Sequence, residues 1–370
     1  MSKIEQLIKK FCPKEVEHVP LSQSVAIKRG VRVVKQQLKE EGQYPVFQNC
    51  LTSMGFYDQT NCPAGTAFVI AAGAAGSVGY SDVDFWAADD CYYMVPPESV
   101  NGKYLYYALK SKEHQLLAKV RKASVPRLAR EVVESVEIAF PPRPVQDEIV
   151  KALDAMDAVV KALEEERNAR QAQFEAMRDK LLKFANGGGY NVVFLRELVR
   201  EGLIKMTRGN VISKKDIAAC PGDYPIYSSS AMGDGEFGRY GKFMFEEELV
   251  TWSIDGGGRF FYRPKKRFSV TNVCGYMRIN DLKVLNTKYL YYILSQQWLS
   301  KKYDYTHKAL PTNIVNDYLI PMRPIADQEK IVTRLDKFED VLTALDEEIA
   351  ARREQFAGWL EKLMEFKEAA

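Results

Sequence analysis

Apolar positions along the chain fall into two kinds of pattern that alternate. In two stretches the apolar and β-branched runs are short and broken by glycine or polar clusters, as in TAFVIAAGAAGSVGY (66–80) and LVTWSIDGGGRFFY (249–262). These predict strands joined by glycine turns. The segments KYLYYAL (103–109) and KYLYYIL (288–294) predict short helices. Elsewhere apolar residues step by three and four. One such seam runs Leu153, Met156, Val160, Leu163, Arg167, Arg170, Phe174, Met177, Leu181 and Phe184. The other runs Leu335, Phe338, Leu342, Leu345, Ile349, Arg352, Phe356, Trp359, Leu363 and Phe366. No proline or glycine lies between Pro144 and Gly187, and only Gly358 follows Pro324. Two helices of roughly 40 residues are expected, each about 60 Å long. A period near 3.5 is what two helices packed along their length require, whereas a helix lying on a separate globular core shows a broader, 3.6-period stripe. Arg167, Arg170 and Arg352 interrupt the seams. Their stems can lie along the seam with the charges outward, or the charges can pair with glutamates of the other helix and fix register. The second reading is preferred.

The whole pattern occurs twice. Gly42-Gln-Tyr44-Pro45-Val46 returns as Gly222-Asp-Tyr224-Pro225-Ile226, and Lys103-Tyr-Leu-Tyr-Tyr107 as Lys288-Tyr-Leu-Tyr-Tyr292. Pro141-Pro-Arg-Pro144 pairs with Pro321-Met-Arg-Pro324, and Lys28-Arg29-Gly30 with Thr207-Arg208-Gly209. Four matches in preserved order indicate a duplication. The expected fold class is α+β: two mixed α/β heads, 1–143 and 187–323, separated by an antiparallel two-helix coiled coil of 144–186 and 324–370. The antiparallel sense follows from pseudo-two-fold packing of similar units, with Gly187-Gly188-Gly189 ending the first helix. The expected outline is a dumbbell.

Charge follows the same division. The net charge is only +3, but the four segments carry +3, −2, +7 and −5 in order. Basic heads alternate with acidic helices, which suits contact with phosphates at the heads. Hydrophobic residues make up 46% of the chain, so two cores can be buried. No apolar run approaches the roughly 18 residues of a membrane span, and the N-terminus lacks the apolar stretch of a signal peptide. The six cysteines are scattered without a Cys-x-x-Cys pair, and there are three histidines. A disulfide framework and a zinc site are therefore not expected, and a reducing cytoplasm is.

The order of a mixed domain, Pro-Pro-Arg-Pro-x-Gln and a long heptad helix ending in Gln-Phe-x-x-Met-x-x-Lys-Leu-Leu, repeated with variations, resembles the specificity subunits of type I restriction-modification enzymes. The resemblance covers the chain from about Val16. It is most specific at the two junctions, 141–154 and 321–336, with Gln146 and Gln328. Residues 1–15 fall outside it. It implies that each head reads one half of a split site in double-stranded DNA and that the helices fix the gap. It also implies two methyltransferase subunits that bind S-adenosylmethionine themselves, restriction subunits joining the same core, and no cofactor or catalytic site in this chain.

Candidate DNA contacts come from loops that recur at one register in both halves. Lys28, Arg29, Thr207 and Arg208 adjoin a glycine and read equally as phosphate contacts or as solvated charge. Gln48, Asn49, Ser228, Ser229 and Ser230 offer amides and hydroxyls suited to base edges, or serve the turn itself. Ser77 and Tyr80 align with Arg259 and Tyr262 in the glycine hairpins, where no helix follows as a dinucleotide loop requires. The segments Ser124-Val-Pro126-Arg127 and His307-Lys308-Ala-Leu-Pro311-Thr-Asn313 align and add Arg127, Lys308 and Asn313 as cationic and amide candidates. No Asn/Asp-Pro-Pro-Tyr/Phe motif, P-loop or nuclease carboxylate–lysine cluster is found, so no catalytic residue is expected. The alternatives are a subunit serving a methyltransferase only, a recognition protein with its own methyl-transfer activity, and a coiled-coil scaffold for proteins.

Overall fold

A computed structural model describes residues 3–12, 16–183, 190–229, 233–301 and 308–366. Phe184, the three glycines at 187–189, Ser230 and His307 lie outside the described residues. The chain forms two compact units, one of 1–165 with 346–370 and one of 166–345.

In the first unit a four-stranded antiparallel sheet runs in the order Ala26–Arg29, Cys91–Val95, Thr66–Ile70, Val78–Ser81. A three-stranded sheet, Phe56–Tyr57, Tyr44–Phe47, Trp86–Ala87, closes with a parallel pair. His18–Pro20 pairs with Glu137–Ala139. The second unit repeats this order: Ile204–Arg208, Cys274–Ile279, Leu249–Ser253, Phe260–Arg263, then Glu236–Tyr240, Tyr224–Tyr227, Ser269–Val270. There Asn191–Phe194 pairs with Leu319–Met322. Both glycine segments are hairpin turns between adjacent strands, as their composition predicts. Both KYLYY segments are helices, Gly102–Ser111 and Thr287–Trp298. Their N-caps are Asn101 and Asn286, whose side-chain oxygens accept the amides that a first turn leaves unpaired.

The long helices span Arg143–Leu182 and Ile325–Glu365. At Gly358 an added Cβ would meet nothing within 4 Å, so the helix runs through a glycine that its packing does not require. Within the first unit Glu164 meets Arg353 and Leu153 packs in one cluster with Leu360 and Met364. Within the second, Phe174 meets Phe338 and Leu182 packs in one cluster with Ile331. Number rises along one helix as it falls along the other, so in each unit the pair is antiparallel. Val160, Phe174, Leu335, Leu342 and Ile349 are buried on the expected seam, while Met177, Leu181, Phe356 and Leu363 pack against it half-buried. Leu163 and Leu345 are also half-buried.

Three expectations need correction. Trp359 is 37% exposed, and Leu360 and Met364 take its place in the core. From Phe356 the buried steps are four and four, because this end packs into a globular core and needs a broader stripe. Arg170 and Arg352 do not fix register: each pairs with a glutamate four residues earlier on its own helix, Glu166 and Glu348. An ion pair that does cross between the helices joins Arg353 to Glu164 at 2.6 Å. The proline match also slips by two, since hydrogen bonds equate Pro141-Pro142 with Arg323-Pro324. Residues outside the repeat contribute a helix, Lys3–Phe11, whose Ile4, Leu7 and Ile8 pack on the first unit's core while Lys3 pairs with Glu148.

The same polar joint fastens head to helix in both units. Gln146 is 1% exposed. Its Oε1 accepts the Asn101 amide, and its Nε2 donates to the carbonyls of Ser99 and Pro141. Gln328, fully buried, does the same with Asn286, Val284 and Arg323. Tyr107 and Tyr292 donate to Asp154 and Asp336, at 2.6 and 2.7 Å, which also face Lys103 and Lys288. Leucine at Gln146 or Gln328 leaves one amide and two carbonyls without partners. Each substitution is expected to cost about 3 kcal/mol of its unit's stability. Denaturant unfolding checks this, and a loss below about 0.5 kcal/mol would discount the joint.

Candidate nucleic-acid interface

Three loops meet at one end of each four-stranded sheet. In the first unit the Leu128 amide donates to the Ala71 carbonyl, and Ala72 bridges to Arg127. The Gly73 amide donates to Pro126, and the Ala74 amide to Asn49. Gly73 has a φ of +86° and its hydrogens face Asn49, where a Cβ would lie 2.6 Å from that carbonyl. Only glycine fits this approach. The strand ending at Arg29 joins from the side: Arg29 Nε donates to the Asp89 carbonyl, 2.7 Å, and Gln48 Nε2 donates to Asp90, 3.4 Å.

The second unit builds the same frame with other side chains. The Ala309 amide donates to Ile254, and Gly256 sits where a Cβ would be 2.1 Å from the Ser229 carbonyl. Trp252 Nε1 donates to the Ala309 carbonyl, 2.8 Å, and Asn313 Nδ2 to that of Lys308, 2.9 Å. Ser228 and Thr271 share a hydroxyl bond, 2.9 Å. Lys308 pairs with Asp255, 2.9 Å.

The structure thus brings together Arg29, Gln48 and Arg127 in one unit, and Ser229, Lys308 and Asn313 in the other. Arg208 ends its sheet-edge strand beside them, through the bonds of Gly209 and Asn210 to Cys274 and Val270. Lys28 and Thr207 lie one residue back on these edge strands. Tyr80 and Tyr262 are elsewhere, which corrects their grouping with the loops. Tyr80 lies 5.4 Å from the Tyr106 ring with the Lys103 ammonium over it, and Tyr262 has Tyr291 and Lys288 in the same positions. Burial first, then Asp82 and Asp154, raises the Tyr80 phenol; burial and Glu248 raise that of Tyr262. Both rings belong to the head–helix joint. Ser77 closes the same glycine turn, its amide donating to the Ala74 carbonyl, between Gly76, which abuts Leu116 and Leu117, and Val78, whose amide donates to Glu113. Arg259 lies over the Phe261 ring.

Sequence reading found Asn49 and missed Asp89, Asp90, Asp255 and Thr271. Their one signal is that they flank the aligned glycines and strands. Burial pushes the Cys62 and Cys274 thiols up to about 12. No cluster of potential metal ligands occurs among the described residues, and none of their helices is long and apolar enough to cross a membrane.

Residues 13–170 and 189–354 each match the model of the type I restriction modification DNA specificity domain. A Haemophilus influenzae protein assigned as a type I restriction enzyme specificity subunit is 25% identical over 373 residues, 92% of each chain. The specificity subunit of the type I restriction enzyme MpnII of Mycoplasma pneumoniae is 30% identical over 197 residues, 50% of this chain and 58% of that one. The crystal structure of the S subunit of a type I restriction-modification system from M. genitalium superposes with a TM-score of 0.68 at 16% identity, covering 95% and 96% of the two chains.

Proposed function

Because this chain belongs to the type I restriction-modification DNA specificity family, we propose that it is the non-catalytic reading subunit of a methyltransferase or endonuclease complex. Each loop cluster reads one half of a two-part site in double-stranded DNA. The observation that carries this reading is the doubled frame: identical backbone bonds at Ala71–Leu128 and Ile254–Ala309 support different side chains. Two readers of different bases need a constant backbone and variable polar groups. Residues 1–143 and 187–323 are read as the recognition parts, and 144–186 and 324–370 as the spacer. Arg29, Arg127 and Arg208, with Lys28 and Thr207 beside them, suit phosphate contacts, and Gln48, Ser229, Lys308 and Asn313 suit base edges. Two methyltransferase subunits, which bring their own S-adenosylmethionine, and restriction subunits are the proposed partners, in the cytoplasm.

The test compares the purified chain with the same chain assembled on its methyltransferase subunits. Alone, it should bind duplex DNA in a salt-dependent way and transfer no methyl group. Assembled, it should direct adenine methylation to a motif of two short halves with a fixed gap, read by methylome sequencing. Methyl transfer by the chain alone, or a single uninterrupted motif, refutes the proposal.

A further inference from the structure

The loop cluster of the second unit holds a carboxylate that phosphate binding does not require. Asp255 follows the Leu249–Ser253 strand and faces Lys308 at 2.9 Å. Their side chains remain 34% and 53% exposed. Both backbones are fixed from behind: Ile254 accepts the Ala309 amide, Trp252 donates to the Ala309 carbonyl, and Asn313 holds the Lys308 carbonyl. The first unit has the same backbone with Ala72 bridged to Arg127, so the acid is specific to the second reader. A carboxylate facing DNA is repelled by phosphates, which makes it a poor general contact.

We propose that Asp255 and Lys308 together read one G·C pair in the second half-site. The inference rests on the DNA-reading function given above. An ammonium beside a carboxylate presents a donor next to an acceptor. In the major groove a G·C pair offers guanine N7 and O6 as acceptors, next to the N4 amino donor of cytosine. Lys308 takes the guanine acceptors and Asp255 accepts from the cytosine amino group. Each side chain neutralises the other until DNA arrives, so the pair costs little in the free protein.

The experiment uses the full chain assembled with its methyltransferase subunits and a randomised duplex library, and reads the methylated motif. Asp255→Ala should relax one G·C position of the second half-site toward A·T, lowering discrimination there by about tenfold or more. The first half-site should be unchanged. Asp255→Asn keeps an acceptor and should retain more selectivity than alanine. Should alanine impair folding, Lys308→Met, which keeps the stem, should lose the guanine preference at that same position. An unaltered motif with uniformly weaker methylation would mean a surface ion pair only. A change in the first half-site would equally overturn the inference. A wild-type complex without a two-part motif would instead refute the functional reading, and the inference with it.

Discussion

Removing residues 165–171 and 344–350 together is expected to narrow the gap between the two halves of the methylated site by about three base pairs. These segments lie between the cross-helix contacts: the Glu164–Arg353 pair precedes one and follows the other, and Phe174 and Phe338 lie beyond them. Both contacts therefore survive. Seven residues preserve the heptad phase, so Phe174 moves into the slot of Arg167 and Phe356 into that of Ile349. Each helix shortens by about 10 Å, which is about three steps of B-form DNA at roughly 3.4 Å each. The same step turns one half-site about the DNA axis by roughly 100°, given 10–10.5 base pairs per turn. Methylation at the new gap therefore also requires the methyltransferase subunits to follow. Removing one segment alone leaves one helix a heptad too long and should abolish activity. A folded double-deletion protein that still methylates only the original gap contradicts the role of the helices as a ruler.

Exchange of residues 16–143 for the first head of another family member should replace one half of the motif completely and leave the other intact. The exchange works only if the incoming head carries its counterparts of Asn101, Lys103, Tyr104 and Tyr107. Asn101 supplies the amide that Gln146 accepts, and Lys103 and Tyr107 meet Asp154. Tyr104 donates to the Ala139 carbonyl, 2.7 Å, and so fixes the last strand before the helix. A swap that preserves this joint yet alters both halves of the motif would show that the two readers are not independent.

Much of this arrangement was legible in the sequence, and the failures have physical reasons. The heptad seams located the helix pairs because a 3.5-residue period admits few other packings. The seam misplaced Trp359, because the last turns abandon that period to fill a core shared with Ile4 and Leu7. Arg170 and Arg352 were misread because each has a glutamate four residues earlier on its own helix, within ion-pair reach. The prolines at the junctions matched by identity at the wrong register. The hydrogen bonds that set the register run from Gln146 and Gln328 to the carbonyls of Pro141 and Arg323, five residues earlier, so equivalent positions here carry different residue types and identity alone misaligns them. The loops of the candidate interface were found only in part. Their glycines mark the frame, but which neighbours share it depends on the pairing of strands far apart in sequence.

The division of the chain into units also sets an order of folding. Residues 166–345 form one uninterrupted unit, whereas 1–165 is completed only by 346–370. On the ribosome the second unit has all its parts first. The first head, with Leu153 and Val160 already made, waits about 180 residues for Leu360 and Met364, which is on the order of 10–40 s at ~5–20 residues per second. During that interval the apolar side of its helix is open to water and to other chains. A nascent chain of this design is most exposed to misassembly before its last two dozen residues emerge, and a truncation there would strand the first head while sparing the second.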